Sequence, residues 1–348
     1  MIKKIAQAVG FGLFCAGLIL YVAPKVNQTQ GNIPILSNDI ISYHSAVKIA
    51  SPAVVNVYNQ AFDATASQTN SELQVNNLGS GVIMTSTGYI LTNKHVIQNA
   101  DQIIVALQSG SIYSAVLIGS DTLTDLAVLK IQADNLPTIP QNEKRISQIG
   151  DVVLAIGNPL NLGQSITQGI ISATGRNALS EMGRQNFIQT DASINKGNSG
   201  GALVNSAGEL IGINTLSLGK NSDEFAEGLN FAIPISLANK VMNKIIQDGR
   251  VIRGYFGVNS SLFYSAKQLG VGEKGVLITG VAEKGPADLA GIEAGDLILT
   301  INDIEAETPS QMMEMIADMK PYTKVKVVVL RQGKLLEFQV VIGEFPEL

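Results

Sequence analysis

The sequence predicts a mostly β chain built from two related halves, followed by a small α+β domain and preceded by an apolar anchor. From about residue 51 to 230, short apolar or alternating runs such as AVVNVYN, QIIVALQ, DLAVLKI, DVVLAIGNP and ELIGINTL are broken by Gly, Asn, Ser and Asp, with almost no helical period. That is the pattern of an all-β domain. A phrase also recurs, GVIMTSTGYIL from Gly81 and GALVNSAGELI from Gly201. Each copy reads as strand, glycine turn, strand. The pair predicts two similar barrels, each opening with an equivalent hairpin, although such hairpins are common in any β protein. Past residue 253, GVLITGV, GPADLAGI, GDLILTIND, SQMMEMIADM and KVKVVVL mix strands with short helices, as expected of a separate small domain.

At the N-terminus, Lys3 and Lys4 precede IAQAVGFGLFCAGLILYVA, residues 5–23, which carry no charge. At ~1.5 Å per residue this stretch spans roughly 28 Å, close to a bilayer core. A cleaved leader has a shorter apolar region and a small-x-small site. Here a cut after Ala23 would have Tyr21 at the −3 position and Pro24 following, which favours a retained anchor. The paired lysines hold the tip in the cytoplasm and send the rest outward. In order, the expected parts are the tip and transmembrane anchor 1–25, a tether 26–38, the two-barrel domain 39–251 and the small domain 252–348. The period of PISLANKVMNKIIQDGR, residues 234–250, predicts a helix capped by Ser236 and stopped by Gly249.

The 348 residues carry a net charge of −5 and no block of Lys or Arg, which argues against nucleic acid as a partner. With Cys15 the one cysteine, no intrachain disulfide is possible. That cysteine and two histidines make no zinc set, and no phosphate-binding G-x-x-x-x-G-K loop occurs.

The chemistry concentrates in NKGNSGGAL, where Ser199 stands among glycines ahead of an apolar run. A serine hydroxyl becomes nucleophilic when a histidine oriented by a carboxylate takes its proton. The developing oxyanion needs backbone donors, for which the amides of Gly197 and Ser199 are placed. His44 lies in a peripheral, helical-looking segment, whereas His95 follows the first hairpin directly. Among the acids, Asp125 at the head of DLAVLKI is favoured as the orienter, with Asp121 the runner-up. The resulting chain order, His95, Asp125, Ser199, is the order of the chymotrypsin fold.

With TNKHVI, SDTLTDLAVLKI, IGNPLNLGQSITQGIISATGR, QTDASINKGNSGGALVNSAGELIGINT and FAIP in sequence, the chain resembles the HtrA family of trypsin-fold serine proteases. RGYFGV and GVLITGVAEKGPADLAGIEAGDLILTIND resemble that family's PDZ domain. The resemblance implies two six-stranded barrels with His95, Asp125 and Ser199 in the cleft between them, a homotrimer, and neither metal nor cofactor. A trypsin-like enzyme reads basic side chains with an acid six positions before the nucleophile. Here that position is Ser193, with Asp191 further off, so an apolar pocket walled by Ile194 and Leu216 is expected. In the PDZ domain, Tyr255, Phe256, Gly257 and Val258 match the loop that holds a peptide's C-terminal carboxylate. Met312, Met315, Ile316 and Met319 form one helical stripe, either core or an adaptable groove wall.

A single PDZ domain, the anchor and the short 59–79 segment resemble the membrane-anchored regulatory branch of the family. That branch implies a periplasmic enzyme on the inner membrane. C-terminal peptides of misfolded outer-membrane porins would switch it on, and it would cleave a membrane anti-sigma factor. Arg176 falls in the loop that senses the PDZ domain. The general quality-control protease or chaperone of the same family is the alternative. Where the family's loop has His before Gly-Asn-Ser, this chain has Lys196.

If the 5–23 segment is retained, the protein fractionates with the inner membrane and N-terminal sequencing finds a start ahead of residue 5. A mature chain that begins at Pro24 in the soluble fraction identifies a cleaved leader.

Overall fold

In the computed structural model, residues 10, 12, 13, 16, 17, 42–62, 73–142, 144–159, 163–176, 187–217, 228–260 and 274–346 are described. The expected anchor lies outside them except for Gly10, Gly12, Leu13, Ala16 and Gly17, which are helical. No helix among the described residues is long and apolar enough to cross a membrane.

Strands β1 (Val54–Phe62), β2 (Leu73–Ile83), β3 (Tyr89–Asn93), β4 (Gln102–Ala106), β5 (Ile112–Asp121) and β6 (Leu126–Lys130) close a barrel in the order β1-β2-β3-β6-β5-β4. A second barrel uses β7 (Val152–Gly157), β8 (Ser165–Arg176), β9 (Phe187–Thr190), β10 (Ala202–Asn205), β11 (Leu210–Ser217) and β12 (Asn230–Pro234). Read from β7, its order is β7-β8-β9-β12-β11-β10, the same path as the first. The two barrels are therefore topologically equivalent, but the repeated sequence phrase is not what makes them so. GVIMTSTGYIL forms β2–β3, the second and third strands of its barrel, whereas GALVNSAGELI forms β10–β11, the fourth and fifth. The expectation of equivalent opening hairpins is thus corrected. A glycine in the left-handed region, such as Gly208 at φ +79, is a local solution that any tight antiparallel turn can reuse.

Val55, Val57, Val82, Ile90, Leu91, Val105, Leu126 and Leu129 are fully enclosed in the first barrel. Such side chains each contribute about 1.5–3 kcal/mol on burial. The helix Ile235–Asp248 buries Ala238, Val241, Met242 and Ile245 on one stripe against this core. It starts directly from β12, because Pro234 at φ −56 ends the strand in a conformation that suits a helix entry. Ser236 accordingly lies inside the first turn and caps nothing, and Gly249 at φ +75 closes the helix as expected.

The last part folds as an α+β unit. Its main sheet runs β14 (Val258–Ser260), β15 (Val276–Val281), β16 (Leu297–Ile301), β18 (Lys324–Arg331) and β19 (Lys334–Val341), with β17 (Ile304–Glu305) pairing β16. A small ladder joins β13 (Gly254–Tyr255) to β20 (Gly343–Glu344). The helix Pro309–Asp318 begins at Thr308, whose hydroxyl accepts from the Gln311 amide. Met312 and Ile316 of the methionine stripe are core residues, while Met315 and Met319 are half-buried beside them.

Residues 43–348 form one compact unit, and ion pairs tie its last part to the barrels. Arg253 makes a two-pronged bond to Asp121, at 2.5 and 2.7 Å. Lys240 on the long helix meets Asp318 at 2.5 Å, with Lys244 3.8 Å from the same carboxylate. Burial pulls the Lys244 ammonium below its ordinary value, with Asp318 opposing that shift.

Candidate active site

β3 ends at Asn93, and the chain turns at once into the short helix Lys94–Ile97, which carries His95 to the barrel rim. Asp125 precedes β6 at φ +55, a left-handed conformation that aspartate tolerates better than most residues. The turn is held from both sides. The Asp125 carbonyl accepts from the Lys94 amide at 2.9 Å and from the Asn93 side chain at 3.0 Å. Its carboxylate then divides its work. Oδ1 accepts from the His95 backbone amide at 3.0 Å, and Oδ2 lies 2.6 Å from His95 Nδ1. The Thr215 hydroxyl, from β11 of the other barrel, donates to the same Oδ2 at 3.2 Å. With Nδ1 engaged this way, Nε2 is the nitrogen left to take a proton.

Asp121 is elsewhere. It is 6% exposed, accepts from the Thr124 amide and hydroxyl at 3.1 and 2.5 Å, and pairs with Arg253. It braces the turn that bears Asp125 and does not bond His95. His44 is exposed at the start of the helix His44–Ala50, which packs on the core through Ala46 and Ala50.

Ser199 sits in the tight run 195–201, where the Asn198 amide donates to the Asn195 carbonyl and the Gly201 amide to the Asn198 carbonyl, both at 2.9 Å. Gly197 takes φ +103 and Gly200 φ +83, and a Cβ on Gly200 would lie 2.2 Å from the Ser80 carbonyl oxygen. The glycines thus let the loop turn sharply and press against the first barrel. The Ser199 hydroxyl donates to the Thr215 carbonyl at 3.0 Å, so in this state its proton is not directed at His95. A cleft of about 390 Å³ opens over the pair, lined by Leu78, His95, Asn99, Lys196, Gly197 and Ser199 among others.

Of the expected pocket residues, Ile194 is 2% exposed and packs with Ala192, Ile171 and Leu203 in the second barrel. Its amide donates to Asn230 Oδ1 at 3.3 Å. Leu216 lies on β11, its side chain outside the described residues. Asp191 is occupied by the Ile170 amide at 2.7 Å. Arg176 ends β8 opposite Phe187, its side chain likewise not described.

In the C-terminal unit, Phe256 and Val258 are buried, Gly257 takes φ +79, and Tyr255 stacks edge-on to Phe345 at 5.6 Å. The Phe256 and Gly257 carbonyls accept from Ala287 and Ala282 at 3.0 and 2.8 Å. Among the described residues the amides of Phe256 and Gly257 meet no acceptor.

Sequence reasoning passed over Thr215 and Ser80, because an unremarkable Ser or Thr acquires its role here only through contacts across the two barrels. An imidazole fixed by a carboxylate beside a serine and a glycine-rich loop is an arrangement able to perform acyl transfer.

Two family models match the chain, a trypsin-like peptidase domain over residues 79–213 and a PDZ domain over residues 254–342. The protein named serine endoprotease DegS of Haemophilus influenzae is 61% identical over 347 residues, 99% of each chain. That of Escherichia coli K12 is 50% identical over 355 residues, again 99% of each. The solved serine endoprotease of Yersinia pestis is 53% identical, with a TM-score of 0.72, over 88% of this chain and 99% of its own. The HtrA-type protease AlgW solved with a decapeptide is 44% identical, with a TM-score of 0.79, over 88% of this chain and all of its own (100%). The chain is a serine endopeptidase, and it belongs to the DegS-like proteases of the HtrA family.

Proposed function

We propose that this chain is a regulatory serine endopeptidase of the periplasm, held at the inner membrane by residues 5–23 and acting as a homotrimer. C-terminal peptides of misfolded outer-membrane porins bind its PDZ domain, and the activated enzyme cleaves a membrane anti-sigma factor. The observation that carries this reading is the whole-length similarity to endoproteases named DegS. In the reaction, His95 Nε2 accepts the Ser199 proton as the hydroxyl attacks the scissile carbonyl, and Asp125 orients the ring and offsets its charge. The amides of Gly197 and Ser199 receive the oxyanion. The protonated His95 then gives its proton to the leaving amine, and water enters by the same route to release the acyl group. The buried Ile194 and the occupied Asp191 support a small apolar residue before the scissile bond.

For regulation, Tyr255, Phe256, Gly257 and Val258 hold the peptide's terminal carboxylate, and the peptide adds alongside β14. The half-buried Met315 and Met319 suit an apolar last side chain. That an HtrA-type relative was solved with a decapeptide, and again with a tripeptide, supports a peptide site of this kind. The ion pairs of Asp318 and Arg253 support a PDZ domain that restrains the protease until peptide arrives, with Arg176 in the loop that senses it. A decisive assay measures cleavage of an anti-sigma-factor periplasmic domain with and without a decapeptide ending in an apolar residue. Stimulation supports the regulatory reading. Unstimulated digestion of unfolded proteins in general points instead to the quality-control alternative.

Ser199→Ala is expected to fold and assemble as the parent does while losing turnover by about 10⁶. Residual cleavage near the parental rate in that variant would sink the nucleophile assignment.

Asp125→Asn leaves the imidazole in the wrong tautomer and is expected to lower kcat by about 10⁴. Asp121→Asn, which touches Thr124 and Arg253 but not His95, is expected to cost far less. Steady-state kinetics that reverse this order overturn Asp125 as the orienter.

Asp318→Ala removes the acid that holds Lys240. Peptide-free cleavage is expected to rise by up to about fivefold, the most that an exposed pair contributing about 0–1 kcal/mol can hold back. An unchanged or lower basal rate refutes restraint by the PDZ domain.

A further inference from the structure

Ser80 lies on β2 in the first barrel, fully buried, and makes four hydrogen bonds. Its hydroxyl donates to the Gly197 carbonyl at 2.7 Å, and its amide donates to the Ser199 carbonyl at 2.8 Å. The hydroxyl oxygen also accepts the Asn158 amide at 3.0 Å, and the Ser80 carbonyl accepts the Thr92 hydroxyl at 2.7 Å. Gly197 and Ser199 are the two residues whose amides are assigned to the oxyanion. One residue of the opposite barrel therefore grips the carbonyl of each.

We propose that Ser80 is the positioning residue of the oxyanion loop, and that its hydroxyl, by fixing the Gly197–Asn198 peptide, anchors the Gly197 Cα from which the donor amide extends. The proposal rests on the assignment of the Gly197 and Ser199 amides as oxyanion donors. The physical reason is conformational. Gly197 at φ +103 has no side chain to restrict it, so once the peptide on its Asn198 side is released, the amide on its Lys196 side loses its anchor and turns easily. The Asn158 amide occupies a lone pair of the Ser80 hydroxyl, which leaves its proton for the Gly197 carbonyl. Asn158 is itself fixed, because its Oδ1 accepts the Gly163 amide at 3.0 Å. The hydroxyl thus links Asn158, at the end of β7, to the oxyanion loop. A preorganised donor stabilises the transition state only if it is already aimed, so an untethered Gly197 peptide lowers turnover without weakening substrate binding.

The test uses the full-length enzyme, with saturating decapeptide activator and a peptide substrate bearing valine before the scissile bond. A matching peptide boronate forms a tetrahedral adduct with the nucleophile and reports on the oxyanion donors. Ser80→Ala is expected to lower kcat by about 10- to 100-fold, approaching the loss seen when a donor itself is removed, with KM within about twofold. Boronate affinity should fall by the same factor as kcat/KM, while affinity for the non-covalent cleavage product holds. Ser80→Cys keeps the bulk with a weaker donor and should fall in between. Thr92→Val, which removes an equally buried bond to the Ser80 carbonyl, should lower Tm and leave kcat within about twofold.

Unchanged boronate affinity in folded Ser80→Ala overturns the proposal, as does a kcat loss that active-site titration traces entirely to fewer competent sites. Should Ser80→Ala not fold, parental kcat and boronate affinity in Ser80→Cys overturn it equally. A parent enzyme that forms no boronate adduct would instead remove Ser199 as nucleophile, a separate failure.

Discussion

Everything in the active site hangs on the Asp125 carboxylate. One oxygen takes the His95 main chain and the other takes the His95 ring, so a single group sets both the position and the tautomer of the imidazole. The second oxygen also takes the Thr215 hydroxyl from the opposite barrel. Thr215 in turn holds the Ser199 hydroxyl with its carbonyl. The two barrels are thereby registered to each other where His95 and Ser199 lie. Converging bonds of this kind favour one arrangement, because any slip breaks several of them together, each contributing about 0.5–1.5 kcal/mol.

The left-handed backbone at Asp125 follows from the same demand. A regular strand entry would send the side chain along the barrel wall, whereas the φ +55 turn aims it at His95. Such a conformation persists only when its surroundings over-determine it. Here the Asn93 and Lys94 donors hold its carbonyl, and Asp121 braces the turn through Thr124. The glycines around Ser199 solve the mirror problem on the second barrel, where the loop must come close to β2 without a Cβ in the way.

How much of this was legible in the sequence depended on how local each signal was. Alternating apolar runs and turn glycines announced β barrels because those patterns are intrinsic to a half-buried strand. His95 and Ser199 stood out because histidines are few and the Gly-Asn-Ser-Gly-Gly run is unusual. Asp125 against Asp121 was only half decided, since both lie in one turn. Asp121 is committed by Arg253, 132 residues away, a partner that no local pattern reveals. The repeated hairpin phrase misled for the opposite reason, being so local that it marks a kind of turn and not a place in the barrel. Thr215 and Ser80 were silent, because their importance is a matter of long-range approach.

The junction between protease and PDZ domain constrains how any gate there can work. A peptide shifts a conformational balance by no more than its differential affinity for the two states, which for typical coupling is roughly 1–3 kcal/mol. Lys240 and Asp318 are 44% and 47% exposed, and a pair of that kind contributes about 0–1 kcal/mol, so peptide binding can open it. Arg253 and Asp121 are 13% and 6% exposed. A pair buried on both sides is costlier to break than the exposed one. The two ties between the C-terminal unit and the barrels therefore differ in strength, with Arg253–Asp121 the firmer. Because Asp121 also holds Thr124, the firmer tie sits one turn from Asp125, so the junction and the carboxylate that holds His95 share a single turn of chain.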